Sequence, residues 1–377
     1  MTCCGHFLPQ ARRFNGAHAA GAEAKSFTMS HNPTGLTEIT SNVIDYPARD
    51  MTITVGAALT VGHLREVLKQ ENQQLPIDTA DDAMTVGDLV AFDVCGPRQY
   101  GYGTLRDYVI GIEASDGNGR VFHGGGRVVK NVAGYDLCRM LTGAKGQLGT
   151  LRQLTFKLKP IPVEQYLSVA AFRSLSDLDS ALERLNLSST TPQILDVLNH
   201  PAAEELLPSI DVSMESAKLS GFEAFLVLGF DGSRKACEWQ TKTVAEELHG
   251  TAASVTSVGN PDATKIYCQT ATRFSAGTAE EQTGWSAKVV TLPSQVVAAL
   301  QVSGDFGLTV CGRAGNGILF MNADSEVDIG HVREKLVQLT AGSSGHLEIR
   351  ELNKTWRHPA MTSPVDRYSK MLHELLG

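Results

Sequence analysis

The stretch Gly125–Leu151, GGRVVKNVAGYDLCRMLTGAKGQLGTL, holds six glycines around Asn131, Gly134, Tyr135 and Asp136, with little of the alternation of a strand or a helix. Glycine at that density serves a chain where backbone must approach a ligand closely or take positive φ. The same character begins upstream at Thr85, with glycines at 87, 96, 101, 103, 111, 117, 119 and 124. Two glycine-rich loops, TVGDLVAFDVCGPRQYGYGTLRDYVIG and the quoted stretch, are therefore separated by one predicted hairpin, DYVIGIEASD and GRVFHGG, turning at Gly117-Asn118-Gly119. Successive backbone N–H groups in such loops form anion-binding concavities, so two of them suit a pyrophosphate and a ring system held between them.

The rest of the chain narrows the choice. Its 377 residues, 42% hydrophobic, are enough for two cores. Lys and Arg number 33 against 41 Asp and Glu, a net charge of -8, which supplies no basic field for nucleic acid or anionic lipid. No G-x-G-x-x-G follows a strand and opens a helix, and no G-x-x-x-x-G-K-[ST] occurs, so Rossmann and P-loop sites are both unsupported. The seven cysteines, Cys3, Cys4, Cys95, Cys138, Cys237, Cys268 and Cys311, include no C-x-x-C pair and read as reduced thiols. No apolar run reaches the roughly 20 residues of a membrane span, and no secretory signal opens the chain, so the expected location is cytoplasmic.

Order is expected from Asn42 onward. Met51, Ile53 and Val55 alternate as a half-buried strand, and Thr60 precedes VGHLREVLKQENQ as a helix N-cap. LRQLTFKLKPIP is a strand ending in prolines, which puts a domain boundary near Pro160. Beyond it, strands such as QYLSVAAF, TPQILDVLN and EAFLVLGF alternate with helices such as SLSDLDSALERLN and RKACEWQTKTVAEELHG. That pattern predicts an antiparallel sheet with helices on one side. SPVDRYSKMLHELLG is read as a terminal amphipathic helix.

The quoted stretch resembles a loop of the vanillyl-alcohol oxidase and p-cresol methylhydroxylase (PCMH) flavoproteins, roughly G-R-x-x-K-N-x-x-G-Y-D-L followed by G-S-x-G-T-L-G-V. IDYPARDMTITVGAALTVGHLREVLKQENQQLPID and GPRQYGYGTLRDYVIGIEASDGNGRVFHGGG are similar to the same family, and the likeness runs from about Val43 to Pro162. Within the family, the flavin subunits of glycolate oxidase resemble the chain most, the shorter second subunit more than the larger catalytic one. The resemblance implies an α+β protein: a PCMH-type FAD-binding domain of two α/β subdomains over residues 43–160, then a ferredoxin-like antiparallel cap over 161–377, after a divergent segment 1–42. It implies FAD as cofactor, oxidation of a 2-hydroxy acid, and a catalytic flavin subunit and an iron–sulfur subunit as partners. An assembly subunit that keeps the scaffold without FAD is the alternative.

Carried over by residue, the likeness sets Thr85, Val86 and Gly87 along the pyrophosphate. Gly96, Gly101, Gly103 and Asp107 fall beside the isoalloxazine, and Gly143, Ala144, Gly146, Leu148 and Gly149 on the adenosine side. Lys130, Asn131, Tyr135 and Asp136 would lock the loop. Arg98, Tyr102 and Arg106 would lie near the flavin face, in reach of a carboxylate or as loop packing. The sequence also departs from the pattern. HAAGAEAK, with Gly21 and Lys25, stands where the first phosphate loop belongs, Gln147 replaces a threonine, and Asp88 puts a carboxylate where phosphate is expected. CGRAGNGILFM keeps glycines but lacks the histidines that bind metal in larger relatives, so no metal site is expected. His18 is read as an exposed terminal residue rather than a flavin attachment point, and His123 as a solvent-facing strand residue. No catalytic acid or base is assigned.

Overall fold

The computed structural model describes residues 39–126, 136–210, 219–276, 284–323, 327–341, 345–351 and 354–357. The expectations for His18, Gly21, Lys25, Lys130, Asn131, Tyr135 and the helix over 363–377 lie outside them.

The first half comprises β1 (Val43–Asp45), β2 (Thr52–Gly56), α1 (Val61–Gln70), β3 (Gln73–Gln74), α2 (Val86–Ala91), α3 (Gln99–Tyr102), β4 (Val109–Ser115), β5 (Val121–Gly125), α4 (Leu137–Leu141), β6 (Thr150–Lys157) and β7 (Lys159–Pro160). Its main sheet is antiparallel in the order β1-β2-β6-β4-β5, and β3 pairs with β7. As expected, β4 and β5 form the hairpin, held at its turn by Asp116, whose Oδ1 accepts from the N–H groups of Asn118 and Arg120. The Thr60 hydroxyl caps α1 by accepting from His63 N. Ile53, Val55, Ile112, Leu154 and Phe156 of the sheet bury against Leu64 and Leu68 of α1 and Leu89 and Val90 of α2.

The second half comprises β8 (Glu164–Phe172), α5 (Leu175–Leu185), β9 (Ile194–Asn199), α6 (His200–Leu206), β10 (Ala224–Gly232), α7 (Arg234–Glu247), β11 (Ser254–Gly259), α8 (Pro261–Ala276), β12 (Trp285–Val290), α9 (Val296–Asp305), β13 (Thr309–Arg313), β14 (Ile318–Ala323), α10 (Ile329–Ala341), β15 (His346–Glu351) and β16 (Lys354–Arg357). Its strands form one antiparallel sheet in the order β11-β8-β10-β9-β13-β14-β12-β15-β16.

Helices cover both faces of this sheet, not one. Leu178, Val244, Leu300 and Leu336 of α5, α7, α9 and α10 pack on one face with Phe172, Leu226, Phe230 and Val289. Leu206 of α6 and Tyr267, Ala271 and Phe274 of α8 pack on the other with Leu167, Val169, Phe225 and Val227. The cause is visible in β8 and β10, where six and seven consecutive residues are buried, so the strands read as continuous apolar runs instead of alternating.

Under α8 lies a buried ion pair. Arg313 Nη1 donates to Asp196 Oδ2 at 2.8 Å, Tyr267 Oη donates to the same oxygen at 2.7 Å, and Arg313 Nη2 donates to Ser275 Oγ at 2.9 Å. Burial pushes the Asp196 carboxyl above the usual carboxylate range, with Arg313 opposing that shift.

Candidate flavin groove and its junction with the second sheet

The segment from Asp93 to Tyr108 joins the two halves. Gly96 has room for no side chain, since a Cβ there would stand 2.5 Å from Thr272 Oγ1 of α8 and overlap Asp78. Gly101 donates to Gln193 O at 3.1 Å, and a Cβ on it would lie 2.6 Å from Gln193 Cα. These two glycines, expected beside an isoalloxazine ring, thus serve close packing of the halves. Gly103 takes φ +89 to end α3, and Asp107 Oδ2 accepts from Thr104 N and Thr104 Oγ1 in the turn that follows.

Arg98 and Tyr102 are spent on the same junction. Arg98 Nε donates to Asp78 Oδ1 at 2.7 Å, and Arg98 N donates to Asp78 Oδ2 at 3.0 Å. Burial alone would favour the neutral guanidine, but Asp78 outweighs it and keeps Arg98 charged. Tyr102 Oη donates to Asp231 Oδ2 at 2.7 Å, and burial first, then Asp231, raises the phenol. Arg106, half-exposed, sits 3.4 Å from Asp93 Oδ2 and donates to Thr142 O at 3.2 Å. Beside them Cys95 is pushed up to about 12, chiefly by burial, so it is an inert thiol.

The two glycine-rich loops meet at α2. Thr85 caps this helix, accepting from Asp88 N at 3.0 Å and donating to Asp88 Oδ2 at 2.7 Å, so the Asp88 carboxylate is held at the first turn. Val86 N and Gly87 N donate to Leu59 O and Ala57 O, both at 2.8 Å. At the other end of the helix, Gly143 N donates to Val90 O and Lys145 N to Ala91 O. Gly143, Gly146 and Gly149 take φ of +81, +75 and +145, and a Cβ on Gly146 would meet nothing within 4 Å. Ala144 is buried and Leu148 packs on the first core. Asp136 caps α4, accepting from Arg139 N at 3.1 Å. His123 is exposed, as expected, with Nε2 3.0 Å from Glu113 Oε2.

Three residues beyond sequence reasoning complete the junction. Asp93 follows α2 with φ +50, and burial raises its carboxyl against the opposing pull of Arg106 and Lys288. Lys288 of β12 stands across from Phe320 of β14 and Glu348 of β15. Glu348 lies 3.8 Å from Lys145 of the second glycine loop. The alternation in WSAKVV was the available signal for Lys288: Trp285, Ala287 and Val289 enter the core, so the lysine faces the other way.

Residues 35–125 match the family model of the FAD binding domain. Over these residues the chain is similar to an FAD binding domain. FAD is the cofactor of that domain, and supplies a hydride acceptor when bound. The chain is 32% identical over 147 residues to glycolate oxidase subunit GlcE of Escherichia coli (strain K12), covering 38% of this chain and 42% of that protein. It is 26% identical over 200 residues to glycolate oxidase subunit GlcD of Bacillus subtilis (strain 168), covering 53% and 42%. It is also 30% identical over 122 residues to a D-lactate dehydrogenase of Archaeoglobus fulgidus, covering 32% and 28%. The chain therefore aligns with less than half the length of these relatives. A solved structure of alkyldihydroxyacetonephosphate synthase shares its fold, with TM-score 0.59 and 16% identity over 81% of this chain and 61% of that one. Among the described residues no helix is long and apolar enough to cross a membrane.

The loop over 142–149 suits FAD better than the loop at Thr85–Gly87 does. The loop over 142–149 is fixed in left-handed turns by bonds to α2 and leaves open space at Gly146, the form of backbone a large planar cofactor and its phosphates approach. Its counterpart at Thr85–Gly87 has the Val86 and Gly87 N–H groups already bonded to Leu59 O and Ala57 O. Among the described residues no cluster of three metal-ligating side chains occurs.

Proposed function

We propose that the chain is the FAD-binding subunit of a glycolate or D-2-hydroxy-acid oxidase complex, working beside a catalytic flavin subunit and an iron–sulfur subunit. Residues 43–160 form the FAD-binding domain and 161–377 the cap. Gly143, Ala144, Gly146, Leu148 and Gly149 hold the cofactor along one wall. Thr85, Val86 and Gly87 shape the opposite wall, and Gly96, Gly101, Gly103 and Asp107 fix the segment that carries the flavin side against the cap. The observation that carries this reading is the FAD-domain match over 35–125, continued by the left-handed glycine loop at 142–149.

One observation favours a second reading, a scaffold subunit without redox work. The pyrophosphate-side N–H groups of Val86 and Gly87 are bonded within the protein, and Asp88 keeps a carboxylate at that turn. Affinity purification from cells expressing the whole complex separates the two. A chain that copurifies with its partners and retains FAD after the partners are removed supports the oxidoreductase subunit. A partner-bound chain free of flavin supports the scaffold.

A further inference from the structure

The loop over 142–149 turns on left-handed backbone, which glycine supplies at 143, 146 and 149. Position 145 is the exception, a lysine at φ +53. A residue with a Cβ is strained in that conformation and glycine is not, so the turn by itself gives no reason for a lysine. Its backbone bond needs no side chain either, since Lys145 N donates to Ala91 O at 2.8 Å. The reason lies at the far end of the side chain, where Nζ stands 3.8 Å from Glu348 Oε1 of β15, in the second half of the chain.

Glu348 in turn requires cations. Its neighbours Leu347 and Ile349 enter the core with Leu336 of α10, which turns the carboxylate to the opposite face of the strand, and there it is only 7% exposed. A carboxylate so buried is costly unless charge meets it. Lys288 stands across from it on β12, and His346 Nε2 lies 3.9 Å from its Oε2. Lys145 is the cation that arrives from the glycine loop, so this contact joins the loop to the large sheet. The start of the loop is braced from within the first half, where Arg106 Nη2 donates to Thr142 O at 3.2 Å.

We propose that Glu348 is a positioning residue for the glycine loop, holding it through Lys145 in the turn that lines the cofactor. The proposal rests on the FAD reading above and adds a hold on that loop from the second half. The ion pair offsets the strain at Lys145 and ties to the large sheet a turn whose Gly143 and Lys145 N–H groups are bonded to α2.

Hydrogen exchange of the amides over 142–149, followed by mass spectrometry in the full chain with and without FAD, tests the tie. FAD affinity is measured beside it by fluorescence quenching. The variants are Glu348→Gln, Lys145→Met, the two combined, Lys145→Arg, and Lys242→Met, which breaks an exposed pair on α7. Glu348→Gln and Lys145→Met should each speed exchange of the loop about three- to tenfold, with the double variant no faster than either. Lys145→Arg and Lys242→Met should leave it near wild type, and FAD affinity should fall about threefold or more in Glu348→Gln. Lys145→Gly separates loop order from stability, because relief of the left-handed strain should keep the melting temperature while the loop exchanges faster. A Glu348 that serves packing alone would instead speed exchange in β12 and β15 and leave 142–149 unchanged, which overturns the proposal. Singles whose effects multiply in the double variant, or FAD bound as tightly by folded Glu348→Gln as by wild type, overturn it too. If Glu348→Gln folds poorly, Lys145→Met and Lys145→Gly decide. If wild type takes up no FAD, the oxidoreductase reading falls, and loop exchange alone decides the tie.

Discussion

The loops at Thr85–Asp88 and Thr142–Gly149 look alike as sequence, yet the fold uses their glycines for different ends. Gly87 has ordinary φ, and its side chain is missing because Ala57 O would lie 2.9 Å from a Cβ. Gly143, Gly146 and Gly149 sit at positive φ, and at Gly146 nothing crowds the missing Cβ. One loop spends glycine on packing within the protein. The other spends it on left-handed turns, open at Gly146 and packed close to Ser115 O at Gly149. Glycine density alone does not separate these uses, because close approach to one's own chain and close approach to a ligand select the same residue.

The contrast breaks most clearly by substitution at Gly87. Gly87→Val would drive a branched side chain into a backbone carbonyl that cannot rotate away, and should cost about 2–3 kcal/mol of stability. Urea denaturation would measure that loss, while FAD bound per folded molecule should change little. If flavin is lost at full stability instead, the Thr85 loop touches the cofactor directly as well as shaping the wall beside it. Gly143→Val comes next: positive φ and a Cβ 3.2 Å from that of Asp93 predict about 2 kcal/mol, with flavin content falling as well.

Smaller changes sharpen the same contrast. Gly146→Ala has space but the wrong φ, so about 1 kcal/mol of stability should go, together with a measurable weakening of FAD in equilibrium dialysis. Asp88→Asn should have the smallest effect, keeping most of the cap on α2 while removing a negative charge from the groove's edge. Flavin affinity should then rise by about two- to fivefold at low salt, and the gain should shrink as salt is added.

Much of the scaffold was legible because local signals agreed. Thr60 before a helical apolar stripe marked α1, and Gly117-Asn118-Gly119 between alternating runs marked the β4–β5 hairpin. Helix α8 was not legible. Its buried side is Ala263, Tyr267, Cys268, Ala271 and Phe274, of which all but Phe274 are small or partly polar, set among threonines, which leaves a weak apolar stripe. With α8 unseen, the second covered face of the large sheet went unseen too.

The junction was hidden for a different reason. Gly101 against Gln193, Tyr102 against Asp231 and Lys145 against Glu348 are contacts between residues about ninety or more positions apart, which no local pattern encodes. Sequence alone therefore places Arg98 and Tyr102 near a flavin face, and the fold shows them occupied with Asp78 and Asp231.

The most direct test of the central claim is the visible absorbance spectrum of the chain after purification and reconstitution with FAD, compared with Gly143→Val. A flavin spectrum at about one FAD per wild-type chain, reduced in the variant, is the predicted result. A folded wild-type chain that shows no flavin absorbance with excess FAD, alone and in its complex, would contradict it.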